Sequence, residues 1–338
     1  MVLILSIQHD ISTDLVMDWL ELHGIPVLRI NGDEKKWLFK QVTPEGVFFE
    51  SQETGDIVNL SECSACWWRR SGIRKEHYYS IDSNNPSGYS DKNIGINSVI
   101  PQIISNEVSG LHEYVLSRLK NDIPIQLGNP RMDLNRLVVL DMAKKLGLET
   151  PRFEVITNSE QLESAQKAMG GIVTKAIVNG VYDVIGNERY YTYTELIPDD
   201  FVTPEVLTPF APSLVTALIK KQFEIRSFFL DGKFYSMAIF SQGSEETKID
   251  YRIAPPPVEI PYQLPEDIEK KLAELYKQLD LNTGSADLIV DENGEYIFLE
   301  INPVGQFGMT SVPCNYNLEE KIANYLTHGT GKCLSSEL

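Results

Sequence analysis

Two strand-like runs near the C-terminal end, Ala286-Asp287-Leu288-Ile289-Val290 and Tyr296-Ile297-Phe298-Leu299-Glu300-Ile301, flank Asn293-Gly294. Asn-Gly readily takes the positive φ values of a two-residue turn, so the segment reads as an antiparallel hairpin. Residues opposed across a two-residue loop have numbers with the same total as the loop pair. Asp287 and Glu300 meet that condition and should face each other, with Cβ atoms about 5 Å apart. Carboxylates that close repel unless a cation lies between them. Alternation places Asn302 on the face of Glu300, and Pro303 stops the strand. Asp287, Glu300 and Asn302 thus form a set of hard oxygen donors suited to magnesium, particularly if nucleotide phosphates complete the shell. Leu288, Phe298, Leu299 and Ile301 around them indicate a largely buried sheet rather than a solvated acidic edge. A one-residue slip in register would break the pairing.

The rest of the chain is organised around this hairpin. Its 338 residues, 42% of them hydrophobic, suffice for two or three packed domains or subdomains. Val2–Ile7 reads as a buried strand. Leu15, Val16, Trp19, Leu20 and Leu22 follow at helical spacing with Ser12 as N-cap, and Pro26 opens another strand. This start predicts an α/β N-terminal domain with some parallel sheet, residues 1–128. Ile81–Asn97, rich in Ser, Asn, Gly and Asp, reads as a loop. Gly128-Asn129-Pro130 marks a boundary, and a helix is expected over Met132–Leu146. Residues 129–212 then form a central lobe, 213–330 a C-terminal lobe with the metal site, and 331–338 a tail. A hairpin is expected over Val181–Tyr193, a second around Asp231-Gly232, and a helix over Leu264–Leu279.

Composition removes several classes. A net charge of −18 repels nucleic acid. No apolar run reaches membrane-span length, and no signal-peptide pattern opens the chain, so a cytoplasmic location is expected. Four cysteines do not make a disulfide framework in a chain this long. Cys63 and Cys66 have CxxC spacing without a second pair, and read as packed residues.

The segment Phe298-Leu299-Glu300-Ile301-Asn302-Pro303, with Asp287 on the preceding strand, resembles the magnesium-binding end of ATP-grasp enzymes. Asn129-Pro130, Asn135-Arg136, Gly147, Pro151 and Thr157 look like the entry to their central domain. Lys221-Gln222-Phe223-Glu224-Ile225-Arg226 looks like the strand after their adenine hinge. Trp67-Trp68-Arg69-Arg70-Ser71-Gly72, Asp250-Tyr251-Arg252 and Asn302-Pro303-Val304-Gly305-Gln306-Phe307 narrow the resemblance to the graspetide synthetases, the microviridin-type peptide ligases. Cys314-Asn315-Tyr316 and the residues after it are similar to the grasp-with-SPASM peptide maturase branch. The resemblance runs over nearly the whole chain.

It implies an α/β chain with the ATP-grasp fold, its N-terminal domain followed by two α+β lobes clasping ATP. It also implies ATP and Mg²⁺ as cofactors, a precursor peptide as partner, and a homodimer. The reaction implied is phosphorylation of a Glu or Asp side chain, then attack by a Ser or Thr hydroxyl or a Lys amine to close an ester or amide ring. An ATP-grasp ligase acting on small acids is the alternative. By position, Lys175 would hold the α- and β-phosphates. Arg136 stands where a phosphate-contacting lysine is usual. Lys221 would contact adenine or the α-phosphate beside Glu224, and the backbone of Ala217, Leu218 and Ile219 would take the adenine edge. Arg226 would stabilise the transferring phosphoryl group, and Arg252 would hold the acceptor carboxylate. Arg69 and Arg70 either bind the peptide or brace the fold. The Val181–Tyr193 hairpin, with Tyr182 and Tyr190, either docks a leader peptide or covers ATP. No residue stands out as a general base.

Overall fold

A computed structural model of the chain describes residues 1–78, 100–130, 133–178, 182–185, 188–191, 194–198, 201, 209–243 and 258–329, with backbone alone at 100, 182–185 and 188–191. The expected loop at Ile81–Asn97 lies outside the described residues. The chain divides into two compact units, Met1–Met132 with Asn317–Leu338, and Asp133–Tyr316. No helix among the described residues is long and apolar enough to cross a membrane.

In the first unit, β1 (Val2–Ser6), α1 (Ile11–Leu22) and β2 (Val27–Asn31) form the expected strand–helix–strand start. A small antiparallel sheet follows, from β3 (Trp37–Thr43), β4 (Gly46–Ser51) and β5 (Ile57–Asn59). Then come β6 (Ala65–Trp68), the long helix α2 (Ile100–Asp122) and β7 (Ile125–Leu127). The main sheet has the order β2-β1-β6-β7, and every neighbouring pair is parallel. Parallel sheets are covered on both faces, so their strands read as unbroken apolar runs; every residue of β1 and β6 is buried. Leu3, Leu5, Ile30, Cys66 and Trp68 share a core with Val115 and Leu119 of α2, and the helix Leu318–His328 packs against α1. Cys63 and Cys66 are free and buried. Burial pushes the Cys63 thiol up to about 11, away from reactivity. The cap of α1 is Asp10 rather than Ser12, and its carboxylate makes no cap hydrogen bond, for a reason given below.

In the second unit, α3 (Arg136–Lys145) begins later than expected, because the Asn135 side chain accepts from the N–H groups of Leu137 and Val138 and caps it there. After it come β8 (Phe153–Ile156), α4 (Ser159–Met169) and β9 (Ile172–Lys175). The hairpin β10 (Tyr182–Ile185) and β11 (Glu188–Tyr191), β12 (Glu195–Ile197) and β13 (Ser213–Ala217) follow. One antiparallel sheet has the order β12-β9-β13-β8. The chain continues through β14 (Lys221–Leu230), β15 (Lys233–Ile239), β16 (Glu259–Tyr262), α5 (Glu266–Gln278), β17 (Thr283–Asp291), β18 (Tyr296–Asn302) and α6 (Gly308–Cys314). The second antiparallel sheet has the order β16-β15-β14-β17-β18. Val139 and Leu140 of α3 and Leu272, Leu275 and Tyr276 of α5 share a core with Ile225, Leu288, Val290 and Phe298 of this sheet.

The Asp231-Gly232 loop is the two-residue turn expected. Leu230 pairs with Lys233, and both loop residues take positive φ, 43° and 88°. The β17–β18 loop corrects the expectation. Val290 pairs with Tyr296, Ile289 with Ile297 and Leu288 with Phe298, so Glu292-Asn293-Gly294 is a three-residue loop. The Gly294 N–H donates to the Asp291 carbonyl at 3.1 Å. The Asp291 carboxylate accepts from the Asn293 and Glu295 N–H groups, and Gly294 takes the left-handed position that such a loop ends on. Past Phe298 the register shifts by one, leaving Leu299 without an opposite residue, and from there Asp287 faces Glu300 and Ser285 faces Asn302. The longer loop and the bulge offset each other. A bulge of this kind re-aims side chains beside functional sites.

Candidate functional site

Ile225, Leu288 and Phe298 turn toward the helix-covered core, so alternation turns Glu224, Arg226 and Asp287 to the opposite face of the five-stranded sheet. Arg226 pairs with Asp287 across β14 and β17, and Asp287 with Glu300 across β17 and β18. Three charged residues therefore stand in one row on three neighbouring strands. Arg226 Nη1 donates to Asp287 Oδ1 at 3.0 Å and Oδ2 at 3.1 Å. Beyond Glu300 the row gains a fourth member: Arg136, the first residue of α3, donates from Nε to Glu300 Oε2 at 2.9 Å and from Nη2 to the same oxygen. The order is cation, carboxylate, carboxylate, cation. Arg226 is 6% exposed and Asp287 23%, so the arginine is enclosed and the carboxylate still reaches solvent. Arg136 Nη1 is buried with no hydrogen-bond partner among the described residues.

Close by in sequence, Lys221 Nζ donates to Glu224 Oε1 at 2.8 Å, and both side chains are nearly enclosed. Asn302 ends β18, and its side-chain oxygen accepts from the Val304 N–H at 3.0 Å. This fixes the amide and leaves a second lone pair. Among the described residues no group of three or more His, Cys, Asp or Glu side chains gathers. A divalent cation at this site would therefore rest on Asp287 and Glu300, with the Asn302 amide and oxygens brought by a ligand. That all-oxygen, partly open donor set fits magnesium.

Lys175 ends β9 opposite Leu214. Ile172 and Val215 turn to a small core with Ile156 and Leu162, so alternation puts Lys175 on the other face, with Val173 and Thr216. In the expected adenine hinge, the Ala217 N–H donates to the Arg152 carbonyl and the Leu218 N–H to the Gly171 carbonyl, both at 2.9 Å. Both donors are engaged within the fold; the Ile219 N–H makes no backbone hydrogen bond among the described residues.

Arg69 and Arg70 lie in the first unit, just after β6, and the structure separates their situations. Arg69 is 1% exposed and donates from Nε to Asp10 Oδ2 at 3.0 Å. The same carboxylate accepts from the hydroxyls of Ser6 and Thr13, which is why it does not cap α1. Arg70 is 29% exposed, and its Nε stands 3.8 Å from Asp10. Burial opposes ionisation of Asp10, but the charge and hydrogen bond of Arg69, the charge of Arg70 and the Thr13 hydroxyl together hold its carboxyl below the usual range. Sequence reading missed Asp10, having placed the helix cap at Ser12; only the fold brings Arg69 to it. The pairing of Arg136 with Glu300, 164 residues apart, was equally out of reach. Arg252 lies outside the described residues, as do the side chains of Tyr182 and Tyr190, whose backbones pair with Tyr191 and Asp183 in the β10–β11 hairpin.

No protein-family model and no curated protein matches the chain. Solved structures do. A RiPP-associated ATP-grasp ligase from Chryseobacterium gregarium, in complex with ADP and a leader and core peptide, aligns at TM-score 0.71 and 22% identity over 98% of this chain and 97% of that one. The macrocyclase MdnC from Microcystis aeruginosa MRC, bound with the precursor peptide MdnA, aligns at 0.71 and 24% identity over 96% and 99%. The ATP-grasp ligase PsnB, complexed with a minimal precursor, Mg and ADP, aligns at 0.70 and 16% identity over 98% and 97%. Likeness over the full length of each chain establishes that this protein has the ATP-grasp fold.

Proposed function

We propose that the chain is an ADP-forming, ATP-dependent peptide maturase of the graspetide type. It activates a Glu or Asp side chain of a ribosomal precursor peptide and joins it to a Ser or Thr hydroxyl, or a Lys amine, as a macrocyclic ester or amide. The observation that carries this reading is the four-membered row Arg226, Asp287, Glu300, Arg136. It sets two carboxylates for a divalent cation between two arginines for phosphoryl oxygens, three of the four held side by side by the register of one sheet and the fourth brought by the start of α3. The three solved ligases named above were each captured with peptide, and two of them with ADP, which supports a peptide as acceptor.

Asp287, Glu300 and Asn302 would hold Mg²⁺, which when bound draws charge from the phosphate oxygens. Lys175 and Lys221 would hold the inner phosphates, with Glu224 fixing the Lys221 ammonium. The Ile219 N–H is the hinge donor left to meet an adenine edge, between backbone groups of Ala217 and Leu218 that keep the hinge in place. Arg226 and Arg136 would face the transferring phosphoryl group, whose oxygens gain charge in transit. The peptide carboxylate attacks phosphorus and ADP departs. The hydroxyl or amine then attacks the acyl carbon, phosphate leaves with the bond electrons, and the nucleophile's proton passes to the departing phosphate or to solvent. Arg252 would orient the acceptor carboxylate, and Arg70, Tyr182 and Tyr190 would contact the peptide. The second unit would act as two lobes meeting near residue 212, in a cytoplasmic homodimer.

The test is an intact mass of the precursor peptide encoded beside the gene, after incubation with the protein, ATP and magnesium. ATP-dependent loss of one water per ring is expected, and mild base then separates ester from amide. An unchanged peptide with ADP released on addition of free amino acids would overturn the peptide reading in favour of a small-acid ligase.

A further inference from the structure

The two arginines assigned to phosphate are bonded to the two carboxylates assigned to the metal. Arg226 holds both oxygens of Asp287, and Arg136 holds one oxygen of Glu300 through two nitrogens. Arg226 and Arg136 are largely enclosed, with side chains 6% and 15% exposed. An enclosed guanidinium that loses a carboxylate bonded to it carries a large penalty, and so does the carboxylate left behind. A phosphate that takes Arg226 without a cation for Asp287 leaves one negative group beside another. A cation that takes Asp287 and Glu300 without a phosphate leaves two enclosed arginines facing it.

We propose, building on the nucleotide-binding reading above, that Asp287 and Glu300 act as competing ligands that restrain Arg226 and Arg136 until a divalent cation displaces them. The row is an exchange device. In the unliganded protein the pairs are arginine with carboxylate; in the liganded protein they are carboxylate with metal and arginine with phosphate. Every charge keeps a partner in both states, and neither ligand alone completes the exchange. Metal and nucleotide therefore bind with positive coupling, each raising the other's affinity by the same factor. The coupling resides in these side chains in addition to the direct contact of metal with phosphate. The consequence that a plain metal site does not share is that removing a metal ligand strengthens metal-free nucleotide binding.

Titration calorimetry of ADP, with magnesium and separately with EDTA, tests this on the full chain. The wild-type protein is expected to bind ADP at least about ten-fold more tightly with magnesium. Asp287→Asn keeps the shape of the side chain and removes the charge and one of the two acceptor oxygens that hold Arg226. In EDTA this variant is expected to bind ADP at least about five-fold more tightly than wild type, with the magnesium effect reduced to near unity. Removing a negative charge also raises anion affinity through the general field. The double variant D287N/R226Q separates the two, because the gain must vanish if it runs through Arg226 and must persist if it is only the field. Glu300→Gln with Arg136→Gln repeats the experiment at the other end of the row, should either first variant fail to melt as a folded protein. No gain in either carboxylate variant, or a gain that survives loss of its arginine, overturns the exchange while leaving the nucleotide site standing. Absence of ADP binding to wild type even with magnesium overturns both.

Discussion

Two arginine–carboxylate pairs, one in each unit, look alike as contacts and differ in everything around them. Arg69 and Asp10 are 1% and 6% exposed, and Asp10 also accepts from two hydroxyls. Arg226 and Asp287 form an equally short pair, but Asp287 is 23% exposed and a second carboxylate stands opposite it across the sheet. The first pair is closed, with each partner's charge answered and water shut out. The second puts like charge beside like charge at an accessible surface, an arrangement that favours exchange with a ligand. Burial and surrounding donors, rather than the bond itself, separate a structural ion pair from a functional one.

The largest effect that would test this contrast is on stability. Arg69→Ala leaves Asp10 buried without its hydrogen-bonded cation, with the partly exposed Arg70 3.8 Å away, and is expected to destabilise the first unit by about 3–5 kcal/mol. Urea unfolding measures it; a loss under about 1 kcal/mol would mean that the pair is as replaceable as a surface bridge. Glu300→Gln is expected to show the reverse profile. Its melting temperature is expected to fall less than that of Arg69→Ala, because Glu300 is 27% exposed and the glutamine oxygen can still accept from Arg136, while peptide ligation falls at least about 10³-fold, roughly 4 kcal/mol of transition-state stabilisation. A fully active Glu300→Gln enzyme would remove the metal site from this position. Arg226→Ala is expected to lower kcat by about 10²-fold, near 2.7 kcal/mol, with a much smaller change in the ATP concentration for half-saturation. Equal losses in both would mean that Arg226 holds the bound nucleotide and contributes nothing particular to transfer.

Much of this was legible in the sequence, and the parts that were not share a cause. The β1 run and the β14–β15 turn followed from short-range chemistry: a strand buried on both faces, and a loop in which Asp231 and Gly232 both take positive φ. The facing of Asp287 and Glu300 was also foreseen, although the assumed two-residue turn is a three-residue loop and a bulge at Leu299 restores the register. Neither feature has a composition signal strong enough to read alone. What stayed hidden were partners far apart in the chain. Arg136 was assigned to phosphate by position, and nothing local tied it to Glu300. The cap of α1 was expected at Ser12 and Asp10 was passed over, and only the parallel pairing of β1 with β6 carries Arg69 to it. Local rules find elements and the faces of strands, while the electrostatics of a site depend on pairings that the tertiary fold makes.

The smallest of the expected effects sharpens the contrast most, because it isolates the charge of one group. Asp10 has a folded-state pKa held below its unfolded value near 3.9 by Arg69, Arg70 and Thr13, against the opposing effect of burial. A depressed carboxyl pKa means that the stabilisation is fully present above the unfolded value and is lost as pH falls through the lower, folded value. The stability difference between wild type and Asp10→Asn should therefore be level from about pH 7 to 5, begin to shrink near pH 4, and continue to shrink toward pH 2. The asparagine variant carries no titrating group at that position, so subtraction removes the acid response of every other carboxylate that the substitution leaves undisturbed. Urea midpoints at half-unit intervals provide the curve. A difference that stays level through the acid range would mean that Asp10 serves Ser6, Thr13 and Arg69 as a hydrogen-bond acceptor only, with its charge immaterial, and the two ion pairs would then differ in chemistry as well as in surroundings.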